Sequence, residues 1–291
     1  MLDTATLSAN GRPLATSPDA LGELRRSRPS DHHHLAEDGY LFVPGLLDRA
    51  AVEAAREELL AHQDELTQDY PMRSRRMRDV LQGETLLGFF GALFGAAARS
   101  YDFIWLRHQH PGQAATLPHC DLVFMSRGTP DVLTCWTPFG DVAPGGGGLL
   151  ILEDSHRTSP QRLAGYLEQD VDTYCENGPN ADAVRSGDMR WEHWRHEAGL
   201  DWGGEISGDA VALREEWGGR WLTADYRMGD VLVFTMRTVH AGTDNHTGGI
   251  RLSTDSRYQR ADAPVDERWV RGEHGEDPVG HGLAAKVGKI C

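Results

Sequence analysis

The chain has 291 residues, of which 40% are hydrophobic and 25% charged, so it can bury a sizeable globular core. Its formal net charge of −15 disfavours nucleic acid and anionic membranes as partners, because the long-range field would repel both. It contains no apolar run long enough to span a membrane, and its four cysteines are scattered without a CxxC pair. The first residues lack the apolar region typical of a secretory signal, so we expect a polar tail there. These features predict a cytoplasmic protein without a disulfide framework.

Composition along the chain predicts one main domain with an extension at each end. Residues 1–30 are rich in Ser, Thr, Pro and Gly, which is typical of a flexible tail. We expect residues 31–260 to form a single domain and residues 261–291 to form a C-terminal extension. The sequence leaves open whether the protein is a monomer or a homodimer.

The first part of the domain predicts one strand followed by two helices. The strand is the apolar segment Tyr40–Pro44. Asp48 is the expected N-cap of a helix from Arg49 to about Leu66, a segment rich in Ala, Glu and Leu. A second helix, from Glu84 to Ala98, is expected to carry a broad apolar face.

From Tyr101 onward the sequence is typical of an antiparallel β fold. Short segments rich in β-branched and aromatic residues alternate with turns, and there is neither a GxGxxG motif nor an internal repeat. Many short strands separated by turns favour a sandwich or barrel, so the predicted class is mainly β with flanking helices. The predicted strands are Tyr101–Arg107, Leu122–Met125, Val132–Phe139, Gly148–Leu152, Val231–Thr235 and Ile250–Tyr258.

A long segment at about 159–227 is predicted to be an insertion between core strands. A stretch of this length is more often functional than an idle connection. It is either a lid or substrate wall, or a helical subdomain or dimer surface whose tryptophans fill its own core. It holds five of the eight tryptophans, Trp191, Trp194, Trp202, Trp217 and Trp221.

Two separated segments offer candidate metal ligands. His119 and Asp121 stand two residues apart, and on a strand such residues share a face while Cys120 points away. Farther along, a Gly229-Asp turn feeds an apolar strand that ends near His240. A lone HxD tripeptide or a lone histidine is weak evidence, but two histidines and one carboxylate match the facial triad of non-haem Fe(II) oxygenases.

A third segment offers a binding site for an anion. Strand alternation places Arg251, Ser253, Asp255 and Arg257 on one face. An arginine inside a barrel needs an anionic partner, and a guanidinium binds a carboxylate through two hydrogen bonds. Arg251 and Ser253 therefore suit one end of a dicarboxylate, whereas an internal ion pair with Asp255 is the simpler interpretation of Arg257.

From about Asp38 to Arg260, the sequence resembles the phytanoyl-CoA dioxygenase family of Fe(II) and 2-oxoglutarate-dependent oxygenases. The resemblance implies a double-stranded β-helix, also called a jelly-roll or cupin-like core. Family members place a 2-oxoglutarate-binding arginine eleven residues beyond the last histidine ligand, and Arg251 stands at that position. The matching segments are 38–47, His119 to Asp121, Gly146 to Arg157, Gly229 to His240, and Arg251 to Tyr258.

Carried over by position, the resemblance implies that His119, Asp121 and His240 bind Fe(II). It implies that Arg251 binds the distal carboxylate of 2-oxoglutarate, that Ser253 assists it, and that Trp136 lies beside the cosubstrate. Trp136 is equally compatible with a place in the core. Halogenating relatives replace the carboxylate ligand with a small residue, so the intact Asp121 favours oxygenation.

The sequence thus predicts a dioxygenase that uses Fe(II), 2-oxoglutarate and O₂. We expect it to hydroxylate a C–H bond of a small, partly apolar metabolite, in keeping with relatives that act on specialised natural products, and to release succinate and CO₂. The same cofactors also support desaturation, epoxidation or rearrangement. An alternative of another class is a non-redox jelly-roll metal-binding protein or a cupin-like isomerase. The run His32 to His34 resembles a metal tract but is expected to be solvated.

Overall fold

Two β-sheets face each other at the centre of the computed structural model, which describes residues 7–62, 70–125, 127–168, 204–278 and 280. Strands are numbered along the chain. The larger sheet runs β4 (Tyr40–Val43), β10 (Val231–Thr235), β7 (Leu133–Pro138), β12 (Arg251–Arg260) and β5 (Ala98–Ser100), and β6 (Trp105–Gln109) also pairs with β12. The smaller sheet runs β11 (His240–Gly242), β8 (Leu149–Leu152), β9 (Trp221–Thr223) and β3 (Leu21–Glu23), while β1 (Ser8–Ala9) pairs with β2 (Arg12–Pro13). The predicted jelly-roll class, mainly β with flanking helices, is confirmed.

The continuous apolar runs of β4 and β10 are explained by burial on both faces of the larger sheet. On β4, Tyr40 and Phe42 point between the two sheets, whereas Leu41 and Val43 point to the helices. On β10, Leu232 packs between the sheets, while its neighbours pack in the helix-facing core. These two strands pair with each other, so this part of the larger sheet lies between the helices and the smaller sheet.

Helices cover the outer face of the larger sheet. The Asp48 carboxylate accepts hydrogen bonds from the Ala50 and Ala51 amides, which confirms the predicted N-cap. The helix predicted from Glu84 ends at Phe94 and not at Ala98, because Gly95 takes a left-handed conformation with φ 62°. The helices on this side are α1 (His33–Asp38), α2 (Arg49–Ala61), α3 (Tyr70–Arg73), α4 (Arg75–Leu81) and α5 (Glu84–Phe94). The chain also forms α6 (Ser155–Arg162), α7 (Ala164–Leu167) and α8 (Ala210–Trp217), and the last two pack against the smaller sheet.

Two strand predictions are wrong in detail. The segment predicted as a strand at Leu122–Met125 is a 3-10 helix over Asp121–Phe124. A short apolar run does not by itself distinguish a strand from a helical turn. The segment predicted at Tyr101–Arg107 becomes a strand only at Trp105 and continues to Gln109. The other four predicted strands from Val132 onward are present.

The predicted N-terminal tail is wrong for residues 7–30. Strand β3 adds to the smaller sheet by parallel pairing with β9, and Leu7, Leu14 and Leu24 are buried. The Asp244 carboxylate accepts hydrogen bonds from the Ser8 hydroxyl and from two backbone amides in the turn after β1. The polar composition of this segment reflects its turns, while its few apolar side chains are enough to anchor it.

The predicted insertion at 159–227 is too long at its C-terminal end. Trp221 begins β9, which pairs with β8 and is therefore a core strand of the smaller sheet. Its indole donates to the Ala210 carbonyl at 2.9 Å and is fully buried. Trp217 ends α8, and Trp191, Trp194 and Trp202 lie outside the described residues.

The C-terminal extension packs onto the domain over its first part. Trp269 is fully buried, and its carbonyl accepts hydrogen bonds from the Asp102 and Phe103 amides. Its ring contacts Trp105 on β6, with centroids 4.7 Å apart. Among the described residues, none of the helices has the length and apolar character needed to cross a membrane.

Candidate metal centre

His119 and His240 are held side by side by their own backbones. The His119 amide donates to the His240 carbonyl at 3.0 Å, and the His240 amide donates to the His119 carbonyl at 3.1 Å. Residues that face each other in an antiparallel bridge point their side chains to the same face. The two imidazole centroids accordingly lie 4.1 Å apart.

Both imidazoles present Nε2 to the same point. The Nδ1 atom of His119 donates to the Leu117 carbonyl at 2.8 Å, and that of His240 donates to the Thr238 carbonyl at 3.0 Å. An imidazole that donates from Nδ1 keeps a lone pair on Nε2, which is the form that binds a metal. Burial, together with the neighbouring His240, lowers the pKa of His119 to about 3, so this ring is neutral near pH 7.

Asp121 completes the cluster with one of its two carboxylate oxygens. Oδ1 lies 3.7 Å from Nε2 of His119 and 3.7 Å from Nε2 of His240. The three candidate ligand atoms all lie within 4.8 Å of one another. The structure therefore brings together the three side chains that the sequence singled out.

The other oxygen of Asp121 is occupied by donors that sequence analysis missed. Oδ2 accepts hydrogen bonds from the Thr134 hydroxyl and, at 3.0 Å, from Nη2 of Arg257. Burial alone would raise the pKa of Asp121, but Arg257 and the two imidazoles outweigh it and hold that pKa well below its usual range. The predicted ion pair between Arg257 and Asp255 is wrong, because Asp255 pairs with Arg107 at 2.8 Å.

The register of the larger sheet accounts for this arrangement. Strand β12 places Arg257 opposite Thr134 on β7, so both donors reach Asp121 from one face. The only signal in the sequence was that Arg251 and Arg257 are an even number of residues apart and therefore share one face of the strand. That signal does not identify Asp121 as the residue that Arg257 contacts. Cys120 points away from the cluster, since its thiol donates to the Arg237 carbonyl at 3.3 Å.

Arg251 lies at the other end of the same face of β12. Its guanidinium donates to the Gly147 carbonyl at 2.9 Å, to Oε1 of Gln109 at 3.0 Å and to the Ser253 hydroxyl at 2.7 Å. All of these acceptors are neutral, and burial lowers the pKa of Arg251 to about 10. No carboxylate lies within ion-pair distance of it among the residues the structure describes. A partly buried cation whose hydrogen-bond acceptors are neutral is suited to an anionic ligand.

Gly147 lets Arg251 and Gln109 approach this closely. Its φ is +83°, and a Cβ at this position would lie 2.1 Å from Oε1 of Gln109. Ser253 is fully buried beside Arg251 and accepts a hydrogen bond from its guanidinium.

Trp136 lies on the face of β7 that also carries Thr134 and points between the two sheets. It is buried, and its ring contacts Tyr226 with centroids 4.8 Å apart. It belongs to the inter-sheet core, together with Phe234, whose ring lies 4.5 Å from that of His240. The structure thus places Trp136 in the apolar core that contacts the cluster through Phe234.

A second group of potential ligand atoms is formed by His33, His34 and Glu37 on α1. His33 and Glu37 are exposed, and Glu37 pairs with Arg25 at 2.8 Å. A neighbouring arginine disfavours a cation, so this exposed group is the weaker of the two candidate centres.

Comparison with known families decides the classification. The family model for phytanoyl-CoA dioxygenase (PhyH) matches residues 68–253, which is more than half of the chain and contains all three candidate ligands. The chain belongs to the phytanoyl-CoA dioxygenase family. As a family member it is a non-haem enzyme that depends on iron and 2-oxoglutarate, so the predicted family, enzyme class and cofactors are confirmed. No curated protein matches the chain.

Solved structures with the same fold include two enzymes from nogalamycin biosynthesis. The non-haem α-ketoglutarate-dependent epimerase SnoN from nogalamycin biosynthesis is 22% identical, with a TM-score of 0.56, and the match covers 88% of this chain and 95% of SnoN. The carbocyclase SnoK from nogalamycin biosynthesis is 20% identical, with a TM-score of 0.58, covering 84% and 89%. HygX from Streptomyces hygroscopicus with nickel and 2-oxoglutarate is 16% identical, with a TM-score of 0.50, covering 88% and 97%. These likenesses support the jelly-roll fold.

Proposed function

We propose that this family member hydroxylates a C–H bond of a small, partly apolar metabolite, with oxidative decarboxylation of 2-oxoglutarate to succinate and CO₂. The observation that carries the proposal is the convergence of three free ligand atoms, Nε2 of His119, Nε2 of His240 and Oδ1 of Asp121, on one point. Two imidazoles and one carboxylate form a set that leaves positions open on an octahedral metal. In this proposal these three residues hold the ferrous ion.

Arg251 is proposed to bind the distal carboxylate of 2-oxoglutarate. Its guanidinium is held in place by Gly147, Gln109 and Ser253, so its remaining hydrogen-bonding capacity is oriented before the ligand arrives. A fixed fork of donors favours a planar carboxylate and costs little entropy on binding. Ser253 takes part by holding the Nη1 side of the guanidinium.

Other groups around the cluster orient the two imidazoles and exclude water. The carbonyls of Leu117 and Thr238 fix the tautomer and plane of the two imidazoles. Trp136 and Phe234 fill the inter-sheet side, which keeps water away from the ligand atoms. When bound, the iron with its cosubstrates supplies the oxidising chemistry that these side chains do not have.

An outcome other than hydroxylation remains the second candidate. Two of the proteins with this fold are described as an epimerase and a carbocyclase, so the fold accommodates reactions that are not hydroxylations. Desaturation, epoxidation or rearrangement here would use the same residues, because substrate placement decides which bond reacts.

Anaerobic titration of the metal-free protein tests the proposal. Adding Fe(II) and then 2-oxoglutarate should produce a visible charge-transfer absorption at one equivalent of each. Admission of O₂ should then release succinate. A protein that binds the metal without developing this absorption would instead be a metal-binding protein or a cupin-like isomerase. Products formed from a panel of apolar metabolites then distinguish hydroxylation from the other outcomes.

A further inference from the structure

Arg257 is a buried cation that contacts a candidate metal ligand. Its side chain is 2% exposed, and Nη2 lies 3.0 Å from Oδ2 of Asp121. The Thr134 hydroxyl donates to the same oxygen. Both donors therefore use Oδ2, and neither contacts Oδ1, which faces the imidazoles.

The guanidinium of Arg257 also lies over an aromatic ring. The Arg257 Cζ atom lies 4.5 Å from the ring centroid of Trp105, which in turn packs against Trp269. Nε and Nη1 of Arg257 are buried and have no hydrogen-bond partner among the described residues. A buried guanidinium with this few partners is kept in place by the Asp121 carboxylate and the Trp105 ring.

The arrangement has a consequence for how Asp121 binds a metal. A carboxylate with both oxygens free is able to coordinate through both, whereas one whose second oxygen accepts two hydrogen bonds binds through the first. Two imidazoles and one carboxylate oxygen use three positions of an octahedral ion. Coordination by both oxygens would use a fourth and leave only two positions, and these would not both be positions that a chelating cosubstrate anchored at Arg251 reaches.

We propose that Arg257 is a positioning residue that keeps Asp121 a one-oxygen ligand, so that the second oxygen stays out of a coordination position that 2-oxoglutarate anchored at Arg251 uses. The proposal rests on the proposed function for the identity of the ligands. Removing the cation should therefore leave metal binding intact and weaken the binding of 2-oxoglutarate. A residue with a merely structural role would weaken the binding of both together.

The test uses Co(II) as a spectroscopic probe in the full chain. Metal-free Arg257→Met protein is titrated with Co(II) and then with 2-oxoglutarate, with visible absorption as the readout. We expect one Co(II) per chain with an affinity close to that of the unmodified protein, and a dissociation constant for 2-oxoglutarate about tenfold higher. The Co(II) spectrum should itself change before 2-oxoglutarate is added. Arg257→Lys, which keeps a cation, should recover part of the affinity.

Arg268→Met is the matched control. Arg268 is also fully buried and pairs with Asp266 at 2.5 Å, but Asp266 is not among the candidate ligands. Its replacement removes a buried ion pair and should leave the Co(II) spectrum and 2-oxoglutarate affinity as they are.

Thr134→Val decides the matter if Arg257→Met does not fold. It removes the other donor to Oδ2 at nearly constant volume and should shift the Co(II) spectrum and the 2-oxoglutarate affinity in the same direction by less. Unchanged 2-oxoglutarate binding in a folded, Co(II)-loaded Arg257→Met protein, or in Thr134→Val when the first variant fails, overturns the inference. Equal loss of both ligands overturns it as well. An unmodified protein that binds neither ligand would overturn the proposed function itself.

Discussion

The backbone amides of His119 and His240 each donate to the other residue's carbonyl, at 3.0 and 3.1 Å. This reciprocal pair joins the segment that carries His119 and Asp121 to the first residue of β11, although the two histidines are far apart in the chain. The imidazoles are therefore placed by main-chain geometry, and their Nδ1 atoms are then fixed by carbonyls two residues earlier. The backbone therefore fixes the relative positions of the two candidate ligand rings.

The first prediction separates Asp121 from its neighbour Cys120. Asp121→Ala should reduce 2-oxoglutarate-dependent succinate formation by more than the roughly 10–100-fold typical of losing an outer partner of a ligand. Cys120→Ala should leave it largely intact, because the thiol contacts the Arg237 carbonyl and faces away from the cluster. Succinate is quantified by coupled assay or mass spectrometry. Equal losses in the two variants would contradict the placement of the ligands.

The second prediction concerns the anion-binding role of Arg251. Arg251→Gln should raise the KM for 2-oxoglutarate by about 10–100-fold, since a hydrogen bond to a charged group contributes roughly 1.5–3 kcal/mol. It should also abolish the preference for 2-oxoglutarate over 2-oxobutyrate, which lacks the distal carboxylate. Arg107→Gln is the comparison, because Arg107 lies on the adjacent strand opposite Ser253 but pairs with Asp255. A larger rise in the KM for 2-oxoglutarate in the Arg107 variant would show that Arg107, and not Arg251, binds the distal carboxylate.

The third prediction tests the support of Arg251 by Gly147. Gly147→Ala should raise the KM for 2-oxoglutarate, because the added Cβ would collide with Gln109 and displace the carbonyl that Arg251 contacts. The left-handed conformation alone should cost about 1–2 kcal/mol of folding free energy. Gly112→Ala controls for that strain, since Gly112 has φ +74° and no neighbour within 4 Å of an added Cβ. Steady-state kinetics and urea denaturation of both variants separate the loss of 2-oxoglutarate binding from the loss of stability. The same KM for 2-oxoglutarate in the two variants would contradict a role of Gly147 in supporting Arg251.

The fourth prediction tests the packing of the N-terminal segment. Leu14 is 1% exposed in the core cluster beneath the smaller sheet, so Leu14→Ala should lower the free energy of unfolding by about 2–5 kcal/mol. Leu60→Ala is the control, because Leu60 is 37% exposed and its loss should be small. Urea denaturation gives both values. A flexible tail, as its composition predicted, would show no difference between the two.

Sequence alone located the cluster because its signals are local. The two-residue spacing of His119 and Asp121, and the spacing of eleven between His240 and Arg251, are readable in one dimension. Strands that are buried on both faces, such as β10, are also recognisable in the sequence as continuous apolar runs.

Tertiary structure decided what depends on partners distant in the chain. The largely polar segment 7–30 is held by two contacts with distant parts of the chain. Strand β3 pairs with β9, and the Asp244 carboxylate accepts hydrogen bonds from the Ser8 hydroxyl and the turn after β1. Arg257 contacts Asp121 and not Asp255, because the register of β12 on β7 sets it beside Thr134. Side-chain parity along a strand fixes which face a residue occupies, but only the pairing of strands fixes which charge it meets there.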